Sequence, residues 1–173
     1  MSWAAAENVL GPLISLEKFH GAKSWSIVLS AEAVGYIVGS LLGMRIRPKY
    51  PMRFLMIATF SVSLYIFSLV GPWQLWVIAI CAFLWGITLD LWGAIWTTAL
   101  QKEVPRDSLS RVSAFDGMGS LSLRPLGLAI AAPMAQWLGL PSTLVIFAII
   151  AAVATATTLV VPQVRNMQFT DNS

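Results

Sequence analysis

Four ionisable residues stand inside stretches otherwise apolar enough for a lipid bilayer: Glu32, Asp90, Asp116 and Arg124. A charge facing lipid costs about 2.5–3.5 kcal/mol on insertion scales, so such groups are expected to face protein or a watery cavity. Three kinds of chemistry are open to them: structural ion pairing, lining a path for a polar or charged substrate, and proton titration. Other chemistries are poorly served. Cys81 and His20 are each the only residue of their type, so no zinc, iron–sulfur or paired redox constellation can be assembled. No serine–histidine arrangement is evident, and isolated carboxylates do not define a reaction. The sequence is read as that of a non-enzyme without cofactor or metal, and nothing in it points to nucleic acid.

The elements that must position these charges follow from composition. Of the 173 residues, 57% are hydrophobic and 11% charged, against about 25% charged in a soluble domain. The mean hydropathy is +0.75. No soluble domain of this size has interior enough for that much apolar surface, so the fold class is all-α and polytopic in a membrane. Complete spans are predicted over about 25–44, 52–70, 73–100, 112–138 and 142–161, separated by polar or Gly-Pro connections at 45–51, 71–72, 101–111 and 139–141. Residues 1–16 are broken by Glu7, Gly11 and Pro12 and read as an interfacial helix or the remnant of a sixth span. Residues 17–24 read as a polar turn centred on Gly21. The start is not a signal peptide, since it has no basic n-region. Residues 1–162 form one helical bundle in this reading, and 163–173 a tail.

Charge placement predicts orientation. Arg45, Arg47, Lys49, Arg53, Lys102, Arg106, Arg111 and Arg165 fall on one side, against Lys18 and Lys23 on the other. The positive-inside rule then puts both basic loops and the C-terminus in the cytoplasm, for a protein of the cell inner or plasma membrane.

Within the spans, Asp90 and Arg124 are the best candidates for a pair, both near mid-membrane on successive antiparallel helices. Asp116 and Arg124 are eight residues apart, about 12 Å along a regular helix, too far for direct pairing. Pro125 removes a backbone hydrogen bond and predicts a kink, with Pro125 and Gly127 as hinge candidates. Gly35, Gly39 and Gly43 recur every fourth residue, a spacing that lets another helix approach closely. Trp85, Trp92 and Trp96 share a face that suits helix packing or contact with an aromatic ligand.

Gln101, Val104-Pro105, Arg111-Val112 and Pro125-Leu126-Gly127 resemble the connection between the tenth and eleventh helices of major facilitator superfamily transporters, in the branch of bacterial drug and siderophore exporters. Asn8–Ile14 is similar to the outer end of the seventh helix of that branch. The resemblance implies two six-helix bundles rocking about a central cavity, of which this chain supplies helices eight to twelve and a truncated seventh. The connection between helices eight and nine departs from the family pattern, keeping Gly43 but placing Arg47 where an acidic residue is expected. The functional expectation is transport of an unidentified small molecule as part of an exporter-like secondary transporter, or a truncated derivative of one. The alternative is a non-enzymatic membrane assembly protein. Beside the lipid bilayer, the expected partner is a polypeptide supplying the first half, or a second copy.

Overall fold

In the computed structural model, residues 8, 10–18, 21–46, 48, 50–71, 73–122 and 124–160 are described. Seven helices account for nearly all of them: α1 (Gly11–Lys18), α2 (Ala22–Arg45), α3 (Pro51–Ser68), α4 (Leu75–Glu103), α5 (Arg106–Ser122), α6 (Arg124–Leu138) and α7 (Leu140–Val160). Helices α2, α3, α4 and α7 are long and apolar enough to cross a membrane, and Pro125–Leu138 is a shorter apolar helix. The protein is therefore the all-α polytopic membrane protein that its composition predicts. Arg47, Lys49 and the tail 163–173 lie outside the described residues.

The predicted span 112–138 is helical at all of its described residues. Helix α5 is described from Arg106 to Ser122 and α6 from Arg124, with residue 123 between them outside the described residues. Pro125 and Gly127 lie in the part of this span described from Arg124 on. The kink expected near Pro125 turns on the junction at residue 123, which lies outside the described residues. The predicted loop 101–111 is correspondingly short, because α4 continues to Glu103 and the connection to α5 is Val104-Pro105. Val104 is extended, with φ −103° and ψ 128°, as the residue before a proline prefers. A charged helix end standing in water satisfies its backbone internally, so Gln101, Lys102 and Arg106 need no loop to carry them out of the bilayer.

Helix α1 extends into what reads as a turn and is tied down at its end. Gly21 adopts φ 89°, a conformation open to glycine and strained for other residues. There its N–H donates to the Ser15 carbonyl at 2.9 Å, and the Ser15 hydroxyl donates to the Gly21 carbonyl at 2.6 Å. This closure holds Leu10 and Ile14 in the main core with Val28, Tyr65, Ile78 and Trp85, and α6 and α7 add Ala131 and Leu144. A smaller cluster toward the other end joins Met52 and Leu55 of α3 to Ile95 and Ala99 of α4.

Helix α2 packs on α4 over most of its length, the most extensive helix–helix contact among the described residues. A Cβ at Gly35 would run into the Phe83 carbonyl oxygen, and one at Gly86 into the Glu32 carbonyl oxygen. At Gly39 a Cβ would lie 2.6 Å from the Ile87 carbonyl oxygen and 3.1 Å from the Asp90 Cβ, and at Gly43 it would lie 3.1 Å from the Ala94 Cβ. The contacts ascend together along both helices, so α2 and α4 are parallel, with α3 running back between them in sequence. Gly35, Gly39 and Gly43 therefore find their partner inside this chain.

Replacing Gly35 by Val should push α2 off the α4 backbone. Overpacking of this kind costs about 1–3 kcal/mol or more, read as a lower melting temperature by size-exclusion of detergent-solubilised protein. Gly93→Ala and Gly117→Ala, where nothing lies within 4 Å of the added Cβ, should leave that temperature unchanged.

Candidate functional site

The α2–α4 seam holds the most enclosed acidic or basic side chain among the described residues. Glu32 is 1% exposed, and the Tyr36 hydroxyl, one turn along the same helix, donates to its Oε1. The spacing makes this pairing local: residues four apart share a helix face, so the phenol reaches back over the carboxylate. Asp90 borders the same seam, its Cβ beside Gly39, and is half-buried. The structure therefore brings Glu32 and Asp90 onto one interhelical seam at different depths. Arg124 opens α6; the placement of its side chain lies outside the described features, and the expected Asp90–Arg124 pair with it.

Asp116 is placed by α5 against α4. The Trp96 indole N–H donates to its Oδ2 at 3.0 Å. Trp96 stacks on Trp92, one turn earlier, with ring centroids 5.3 Å apart and planes 18° apart. Sequence reasoning put Trp92 and Trp96 on one face without joining Asp116 to them. The available signal was an indole donor and a carboxylate at similar depths on successive antiparallel helices. The tryptophan face divides: Trp85 is 4% exposed in the main core, while Trp92 and Trp96 pack against the smaller cluster. Trp85 thus serves packing. Helix α5 makes few contacts with its neighbours, and Phe115 and Met118 beside Asp116 are exposed.

A third polar feature joins α3 to α4. The Ser61 hydroxyl donates to Thr88 Oγ1 at 3.0 Å, and the Thr88 hydroxyl donates to the Leu84 carbonyl at 3.0 Å. Each hydroxyl proton thus has an acceptor, which makes this a fixed interhelical link. Pro125 and Gly127, the hinge candidates, lie in the first turn of α6. The basic residues Arg45, Arg53, Lys102, Arg106 and Arg111 are all exposed at the α2 end, α3 start, α4 end and α5 start, which is one end of the bundle. No group of three or more His, Cys, Asp or Glu residues among the described residues could hold a metal ion.

The architecture defines a class, a polytopic helical membrane protein with carboxylates on its interhelical faces. Within that class the chain is similar to macrolide efflux protein A of Streptococcus pyogenes, 27% identical over 137 residues, which are 76% of this chain and 34% of the relative. The protein of the same name from Streptococcus pyogenes serotype M6 matches with the same identity and coverage. The chain spans about a third of the length of the curated relatives it matches. No protein-family model matches it, and no solved structure does.

Removing both hydroxyls of the α3–α4 link, in Ser61→Ala and Thr88→Ala, should reveal a coupling near 0.6 kcal/mol, about the average for hydrogen bonds between membrane helices. A double-mutant cycle on unfolding in mixed micelles measures it, and additive single effects would show that the hydroxyls act independently.

Proposed function

We propose that the chain moves a small molecule across the membrane as part of an exporter-like secondary transporter of the major facilitator kind. The observation that carries this reading is the similarity to an efflux protein along 76% of the chain. The placement of Glu32 and Asp90 on a helix seam supports it, since ionisable residues at membrane depth mark substrate and ion pathways more often than they serve structure alone. Alternating access needs two bundles moving about a shared site, and this chain supplies one. Its partner in transport is a polypeptide with the preceding helices. Glu32, Asp90, Asp116 and Arg124 are the pathway candidates, with Pro125 and Gly127 as the hinge. The basic end of the bundle faces the cytoplasm, as does the C-terminus, and the role is that of a carrier in the cell membrane rather than an enzyme.

A second reading, assembly without transport, is favoured by one observation. Helix α5 carries Ser108, Ser110, Ser113 and Asp116 yet packs sparsely, and a polar helix in a bilayer needs cover. The glycine seam no longer supports self-association, because α4 already occupies it.

The test is uptake of a radiolabelled macrolide into proteoliposomes holding this chain, with and without a first-half polypeptide from an efflux transporter. Flux is expected only from the pair. Arg124→Ala should lower the initial rate about tenfold, equivalent to ~1.4 kcal/mol, with insertion intact. Flux from neither preparation would overturn the transport reading, and an unchanged rate in the variant would remove Arg124 from the pathway.

A further inference from the structure

We propose that the α2–α3 corner binds an anionic phospholipid from the leaflet it faces, with Arg45 and Arg53 holding the phosphate; the inference stands apart from the transport reading. Arg45 ends α2 and Arg53 is the third residue of α3, and both are exposed. Their heights are set by α4. Gly43 lies against Ala94, and Leu55 clusters with Ile95 and Ala99, so the two arginines stand within about one to two helix turns of each other at one end of the bundle. The corner is braced on both sides. The Ile46 N–H donates to the Leu42 carbonyl at 2.8 Å and the Phe54 N–H to the Tyr50 carbonyl at 3.0 Å, while Pro51 is buried at the head of α3. By sequence, Arg47 and Lys49 add their charge to the same corner.

What sets this corner apart is its lack of acid. No acidic residue occurs between Glu32 and Asp90; Glu32 is enclosed, and Asp90 borders Gly39, six residues and about 9 Å short of Arg45. The α4–α5 corner, by contrast, interleaves Glu103 and Asp107 with Lys102 and Arg106, and so carries counter-charge of its own. Carboxylates from elsewhere do not restore the balance: the basic residues of the two corners outnumber Glu103, Asp107 and the tail's Asp171 together. Beneath the charge lies hydrocarbon surface. Leu41 stands four residues before Arg45 and Ile57 four residues after Arg53, both exposed, and residues four apart share a helix face. Both helices lean on α4 and meet each other sparsely. A ligand with a phosphate at the rim and acyl chains below it matches both levels, whereas free phosphate meets the upper one alone. Each Lys or Arg near an anionic membrane surface raises affinity roughly fivefold.

Native mass spectrometry of the full chain released from detergent micelles tests this, with phosphatidylglycerol titrated against phosphatidylcholine of the same acyl chains. Phosphatidylglycerol is expected to bind about tenfold more tightly. Arg45→Gln combined with Arg53→Gln should bring the two lipids near parity, while Arg45→Lys with Arg53→Lys should keep the preference. Lys102→Gln with Arg106→Gln removes the same charge from the other corner and should leave most of the preference in place. Millimolar inorganic phosphate should not displace the bound lipid. Should the double glutamine variant fail to fold, Arg53→Gln alone is read, with a loss of roughly fivefold. No preference in the wild type, equal losses from the two corners, or displacement of the lipid by phosphate would each overturn the site.

Discussion

Two backbones in contact set the geometry of this protein. Where Gly35 and Gly39 of α2 meet Gly86 of α4, neither helix has a Cβ to hold the other away, and the carbonyl oxygens of Phe83, Ile87 and Glu32 lie where those side chains would be. Inside a bilayer there is little hydrophobic force to bring helices together, so close van der Waals packing is what replaces it. The seam fixes α2 and α4 as a parallel pair, and the rest follows. Helix α3 is held against α4 and links to it through Ser61 and Thr88, while α7 closes on α3. Glu32 is shut in by the same approach that closes the seam.

The grip weakens along the chain. Helices α2 to α4 and α7 share a dense core, whereas α5 touches α4 at few points and is joined to it by the Trp96–Asp116 hydrogen bond. A rigid frame with one loosely attached polar helix is suited to a carrier, whose moving parts are drawn from its least stable elements.

A succession of apolar helices, and the places where most of them turn, were legible because apolar length and proline-glycine punctuation act locally. The glycine face was legible too, since every fourth residue on a helix falls on one side. Its partner was not, because α4 lies a whole helix away in sequence and parallel contacts leave no trace in loop length. The loop at 101–111 was misread for a physical reason: charge was taken to end a helix, yet a helix leaving the membrane carries Lys102 and Arg106 at no cost. For the site, Glu32, Asp90 and Asp116 stood out simply as charges in apolar surroundings. The Trp96–Asp116 bond depended on the rotation of two helices about their axes, a quantity that periodicity leaves free when the helix is apolar all round.

The parallel seam also bears on how the protein is made. Helix α2 emerges from the ribosome about fifty residues before Gly86 of α4 exists to cover Glu32. At roughly 5–20 residues per second that interval lasts a few seconds, during which the acidic side chain must be sheltered by something other than its final neighbour. Tyr36, one turn away on the same helix, is the shelter that travels with it. The local phenol–carboxylate pair needs no residue outside α2, so it can form as soon as that helix does.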